Sequence, residues 1–196
     1  MEKPIYRLLI LAYVLCILML NLPCYTVNSL ASKTGYHSTF DHFFKKYTQQ
    51  YFGNFDWRIF KAQAIVESGL NPYAISIRGA AGMMQIMPFT WNDLLLAKIV
   101  PDDIVSPNYN VKAGIYYNKH NWKMFANLNY NDRIKYMLGA YNAGAGAILK
   151  AQKLCNNQNK KKWSCIEQCL PKITGKYAQE TIKYVSRVLK IRLLLE

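Results

Sequence analysis

The chain has 196 residues, 52% of them hydrophobic and 14% aromatic, and a formal net charge of +14. That length and apolar content suit one globular domain with its own core and exclude a disordered, low-complexity protein. The basic excess suits nucleic acid, anionic lipid or an acidic wall polymer, but no zinc-finger spacing or recognisable nucleic-acid motif is present, so no nucleic-acid partner is expected.

Lys3 and Arg7 precede an apolar run over residues 8–20, which is shorter than the roughly 20 residues of a comfortable membrane span. Ser29-Leu30-Ala31 then offers small residues at the two positions a signal peptidase reads. Residues 1–31 are therefore expected to be a signal peptide or an N-terminal membrane anchor, and the protein to be exported, periplasmic or cell-envelope associated. Residues 32–196 remain as one domain. Cleavage after Ala31 leaves Cys155, Cys165 and Cys169. In an oxidising compartment the arithmetic is one disulfide and one free thiol, with the pairing open. His37, His42 and His120 stand in no metal-ligand spacing, so a cross-link is expected rather than a metal site, and no cofactor.

In chain order, Ser38 reads as a hydroxyl cap with Asp41 three residues on. Phe40, Phe43, Phe44, Tyr47 and Tyr51 follow at helical spacing, until Gly53 and Asn54 break the pattern. Asp56 caps a helix over 57–68, with Ile59, Phe60 and Val66 inward and Gly69, Asn71 and Pro72 ending it. Residues 69–88 show no helical period; Gly79, Gly82 and Pro88 mark an irregular segment of the kind that builds a cleft wall beside a helix end. A helix is expected over 90–98, and a second from Ser106-Pro107 to 125. Asn131 caps a third, ending at Tyr141-Asn142-Ala143-Gly144, and a fourth covers 147–154. Residues 155–175 read as a lysine-rich excursion pinned by the disulfide. Residues 177–195 form the last helix, with Ile182, Val185, Val188 and Leu189 on one face. Without a hairpin signal or an internal repeat, the fold class is all-α or mostly α, in one domain.

Glu67 is the one acidic residue between Asp56 and Asp93. It falls in the last turn of a helix, facing the negative end of the macrodipole, with apolar neighbours that disfavour its charged form. Both effects raise its pKa and suit it to a general acid that carries a proton near neutral pH. By position alone it is equally a solvated residue at a helix end.

Four ordered blocks change that reading: Glu67-Ser68; Gly82-Met83-Met84-Gln85 with Met87-Pro88; Ala140-Tyr141-Asn142-Ala143-Gly144; and Glu180-Thr181-Ile182-Lys183-Tyr184-Val185. Together with Asp56-Trp57-Arg58 and Asn110-Val111-Lys112-Ala113-Gly114, they resemble the catalytic domain of the soluble lytic transglycosylases over residues 37–195. The resemblance implies a goose-lysozyme-like helical domain with a catalytic cleft that cleaves the β-1,4 bond between N-acetylmuramic acid and N-acetylglucosamine in peptidoglycan. It implies Glu67 as acid and then base, with the product closing to a 1,6-anhydro ring. Ser68, Met83, Met84, Gln85, Tyr141, Asn142 and Glu180 are the substrate-binding residues it suggests. Chemistry agrees: no carboxylate lies in 69–88, and a reaction that activates no water needs no second one. The rival readings are a goose-type hydrolase, with Asp93 holding the water, and a non-catalytic glycan-binding component. Met83 departs from the family's usual Leu, a volume-tolerant exchange, and the excursion at 155–175 has no place in the pattern. An export signal on a single catalytic domain fits a monomer that opens the wall locally for an envelope-spanning secretion or conjugation machine, with membrane association through the N-terminus.

Overall fold

The computed structural model describes residues 36–156 and 159–195, so the expected signal segment lies outside the described residues. The chain is helical, and among the described residues the only β pairing is two isolated bridges, Ile75 with Ala81 and Ala81 with Ile86. Helix α1, Asp41–Phe52, buries Phe44 and Tyr47 of the expected aromatic stripe. Its start differs from the expectation: the backbone carbonyl of Ser38, not its hydroxyl, accepts from the Asp41 N–H at 2.9 Å.

Helix α2, Arg58–Ser68, is the central element and buries seven consecutive residues from Ile59 to Ile65. Asp56 fixes its entry, because Oδ1 accepts from the Arg58 N–H at 3.1 Å and from its Nε at 2.8 Å. Oδ2 accepts from Arg192 Nε at 2.5 Å, which ties the start of α2 to the end of the last helix. Burial pushes the Asp56 carboxyl up, but the hydrogen bonds from Arg58 and Arg192 outweigh it and hold the group below the usual range. Gly69 ends the helix at φ +65°, a left-handed position where only glycine escapes a Cβ penalty.

Helix α3, Pro88–Leu96, opens earlier than expected because Pro88 sits at its first turn. Helix α4 spans Pro107–Met124. Helix α5, Tyr130–Ala143, is capped by Asn129 rather than Asn131; Asn129 Oδ1 accepts from the Asp132 N–H at 3.0 Å. Asn131 falls inside the first turn, where its side chain no longer reaches the free N–H groups. Helix α6 covers Ala145–Leu154, and after α7 (Trp163–Cys169), α8 (Pro171–Thr174) and a 3-10 turn at Gly175–Tyr177 comes α9, Ala178–Leu194. Helix α2 packs against α9, α1 against α4, and α5 lies between α4, α6 and α9. The inward face of α9 carries Thr181, Tyr184, Val185, Val188 and Ile191, while Ile182 and Leu189 are only half-buried. That rotation brings two polar residues inside.

The lysine-rich excursion is also part of the core. Trp163, Ile166 and Leu170 are buried, each stabilising the fold by about 1.5–3 kcal/mol. The Trp163 ring lies so close over Gly139 that a Cβ there would meet it at 2.6 Å. Cys155 is joined to Cys165, and Cys169 stays a buried free thiol. Among the described residues no helix is long and apolar enough to cross a membrane.

Candidate active site

Three chain segments converge on Glu67. The residue sits in the last turn of α2, half-buried, and Tyr184 from α9 donates its hydroxyl proton to Glu67 Oε1 at 2.5 Å. Burial pushes the carboxyl up to about 7; the Tyr184 hydrogen bond opposes that rise and the negative charge of Glu180 adds to it. The general-acid range expected from helix position is thus reached chiefly by desolvation. The Tyr184 and Tyr141 phenols are pushed well above their ordinary values, by burial first and then by the charge of Glu67, so both remain donors.

The wall beside the acid is built from backbone. Gly82, at φ +78°, lies against Asn110 so tightly that a Cβ would come within 2.1 Å of its Nδ2. Asn110 is fully buried and holds two loop segments together. Its Nδ2 donates to the carbonyls of Ala81 at 3.0 Å and Ile104 at 2.8 Å, and its Oδ1 accepts from the Met84 N–H at 2.7 Å. Two hydroxyls then staple the wall to helix ends: Ser68 Oγ donates to the Met83 carbonyl at 2.9 Å, and Tyr141 Oη to the Met84 carbonyl at 2.7 Å. Gln85, itself at φ +48°, donates from Nε2 to the carbonyls of Ala74 at 3.1 Å and Gly82 at 2.9 Å.

A cavity of about 280 Å³ opens along this wall, lined by Gln85, Ile86, Met87, Thr90, Tyr117, Tyr141, Asn142, Ala143 and Gly144. Of the residues expected to meet substrate, Gln85, Tyr141 and Asn142 line it. Asn142 is held by Thr181, whose Oγ1 donates to Asn142 Oδ1 at 2.7 Å. Met83 and Met84 do not form the expected soft surface. Both side chains are 0% exposed, and Met84 packs on Gly114, where an added Cβ would come within 2.8 Å of it. Both follow Gly82, whose φ is positive, and what they offer the stapling hydroxyls is their carbonyls. Ser68 braces the wall rather than the acid. Glu180 is exposed in the first turn of α9 and acts on Glu67 through its charge. Asp93 is exposed on α3 and is not among the groups that shift the Glu67 carboxyl.

Three contributors were not singled out from sequence. Tyr184 lies inside a quoted block, yet as an aromatic at helical spacing it reads as core. Tyr117 stands at 5.5 Å from Tyr141 in an edge-to-face pair, and Thr90 follows Pro88 in a helix start; neither carries a local signal. Elsewhere, Cys155, Cys165 and Cys169 bring their sulfurs within 4.8 Å of one another, but the disulfide uses two of them.

The sequence model of the family described as the transglycosylase SLT domain matches residues 42–164. A membrane-bound lytic murein transglycosylase F from Yersinia enterocolitica is 32% identical over 146 residues, which is 72% of this chain and 29% of that protein. The 70 kDa soluble lytic transglycosylase of Escherichia coli superposes with a TM-score of 0.65 at 25% identity, over 82% of this chain and 24% of that one. The complex of the 70 kDa enzyme with bulgecin A gives 0.64 at 26% identity over the same shares. The chain thus spans under a third of the length of the proteins it matches.

Proposed function

This chain belongs to the transglycosylase SLT domain family, and on that premise we propose that it is a peptidoglycan lytic transglycosylase. The observation that carries the proposal is the setting of Glu67: a carboxyl pushed up to about 7 and gripped by one tyrosine, its charge felt by Tyr141 of a cavity whose lining holds no carboxylate. In the proposed reaction Glu67 gives its proton to the glycosidic oxygen. The C1–O4 bond breaks, and N-acetylglucosamine leaves with that proton on O4. The carbonyl oxygen of the muramyl acetamido group takes the place of the leaving oxygen at C1. Glu67, now a carboxylate, removes the proton from the C6 hydroxyl. O6 bonds to C1, the acetamido oxygen departs, and a 1,6-anhydro ring closes. The proton returns to Glu67 and no water is consumed.

Gln85, Tyr141 and Asn142 are the residues proposed to meet glycan in the cleft, with Tyr117 and Thr90 beside them. Ser68, Met83 and Met84 act one step back, by holding the wall. The site of action is the cell envelope, with residues 1–31 as its signal peptide or anchor. Local opening of the wall for a secretion or conjugation machine is the proposed setting.

Mass spectrometry of products from purified peptidoglycan tests the reading, with Glu67→Gln alongside. Products one water lighter than hydrolytic ones, absent from the variant, are the expected result. Hydrated reducing ends would overturn it in favour of a hydrolase, and binding without products would favour a glycan-holding component.

A further inference from the structure

Two carboxamides stand behind Tyr184, and the reaction above uses neither. Gln63 of α2 and Asn118 of α4 are both 0% exposed, and amides so placed persist only when hydrogen-bonded. Asn118 Nδ2 donates to the Gly114 carbonyl at 3.0 Å and to Gln63 Oε1 at 2.8 Å. Gln63 Nε2 donates to Tyr184 Oη at 3.0 Å, and Tyr184 Oη donates to Glu67 Oε1 at 2.5 Å. From Asn118 through Gln63 and Tyr184 the donors run in one direction, toward the acid.

The direction is dictated from the far end. A backbone carbonyl only accepts, so Asn118 must present its NH₂ to Gly114. Turning the amide would set its oxygen against two other oxygens. Asn118 keeps this orientation even though its Oδ1 is buried with no donor among the described residues, a state that is expensive to maintain. With Asn118 so fixed, Gln63 must offer its oxygen to Asn118 and its nitrogen to Tyr184. The Tyr184 oxygen is then occupied as an acceptor, and its single proton has one destination.

We propose that Gln63 and Asn118 are positioning residues that fix the direction of the Tyr184 hydroxyl, keep Glu67 Oε1 an acceptor, and thereby place the transferable proton on Glu67 Oε2. The proposal rests on the reading of Glu67 as the general acid. With Gln63 in the in-plane acceptor direction of Tyr184 Oη and the phenol proton committed to Oε1, a protonated Glu67 has no well-aligned acceptor there, so its proton stays available to the substrate. The carboxylate form later receives the C6 proton on the same Oε2, since Oε1 is still engaged. The titratable groups that act on Glu67 are Tyr184 and Glu180 from α9, and the charge of Glu67 in turn raises Tyr141 of α5. Gln63 and Asn118 carry no charge and act through hydrogen-bond direction alone.

Gln63→Met, which keeps the volume, and Asn118→Leu are the variants to make, each alone and combined with Tyr184→Phe. Two readouts are needed: the pH profile of kcat/KM on peptidoglycan, and a substrate-free ¹³C NMR titration of the Glu67 carboxyl, assigned with Glu67→Gln. Without Gln63, protonated Glu67 donates to Tyr184, which favours the neutral acid and misplaces its proton. The expected result with Tyr184 present is a fall in kcat of about tenfold or more. The basic limb and the NMR midpoint should both move up by about half to one pH unit. With Tyr184→Phe, neither amide variant should move them further. Lost activity with an unmoved midpoint, or equal movement in both backgrounds, would overturn the proposal and leave the amides a packing role. The titration needs no turnover. A midpoint that moves as expected in a protein that forms no anhydro product sinks the transglycosylase reading alone, and an unmoved midpoint in an active enzyme sinks the positioning alone. If Asn118→Leu does not fold, Gln63→Met decides.

Discussion

Tyr184 donates to Glu67 at 2.5 Å across 117 positions of chain, joining the first turns of α9 to the last turn of α2. The acid's proton affinity is thereby set by two opposed effects: burial raises it to about 7 and the tyrosine restrains the rise. A general acid must be protonated in the free enzyme, so activity is present below this value and lost above it. The kcat/KM profile for anhydro-product formation should show its basic limb at about 7. Tyr184→Phe, which removes a donor to the carboxylate, should move that limb upward, and a downward move would contradict the assignment.

Stability should show the same group in the opposite light. The folded-state value of about 7 lies above the ordinary 4.5, so the protonated acid favours the fold below the unfolded value, and this contribution disappears as pH rises through the folded one. At pH 8 the buried charge opposes folding by something on the order of 1–3 kcal/mol. Glu67→Gln should therefore melt several degrees higher than wild type at about pH 8 and no higher at about pH 4, while losing activity at both. Thermal scans at the two pH values are the measurement, and a gap independent of pH would contradict it.

Gly82→Ala tests the wall. Its added methyl meets the Asn110 side chain at 2.1 Å, in a backbone conformation that L-residues rarely adopt. A destabilisation of about 2–4 kcal/mol is expected in chemical denaturation. Gly144→Ala is the control: φ is also positive there, but the methyl meets nothing within 4 Å. Its penalty should be the backbone term alone, about 1–3 kcal/mol, since φ +83° and ψ 139° lie in a region L-residues rarely enter. Equal losses would mean that the Asn110 contact carries no weight.

Tyr141→Phe removes the bond to the Met84 carbonyl and leaves that buried acceptor unpaired, which should destabilise the fold by about 1–3 kcal/mol. Activity should fall by tenfold or more, on the order expected when a wall moves by a fraction of an ångström. The basic limb should hardly move, since Tyr141 does not hydrogen-bond to Glu67. Unchanged cleavage would remove Tyr141 from the site.

The helices were legible because their apolar spacing is strong, and Glu67 because it combines a helix end with a lone charge. The caps were less so. Ser38 and Asn131 carry the right side chains, but competing neighbours, a backbone carbonyl and Asn129, reach the free N–H groups first. Met83 and Met84 read as cleft surface, but they lie in a turn between two positive-φ residues, Gly82 and Gln85, whose facing no local pattern reveals. Gln63 and Asn118 could not be read at all. A polar residue on a helix reads as solvated, and only the hydrogen bonds that link Asn118 of α4 to Gln63 of α2 and Gln63 to Tyr184 of α9 show that both are inside.

The outward side of the wall has a different character. Tyr73, Ile75, Ile77 and Arg78 are all exposed, Ile77 completely, whereas the backbone that carries them is pinned by Asn110, Gln85, Ser68 and Tyr141. Inheritance can therefore act on the two sides separately. Exchanges among these rim side chains leave the hydrogen bonds of the wall untouched, whereas a change at any of the four pins removes a bond that holds the backbone carrying them. The rim is thus free to be altered separately from the site behind it.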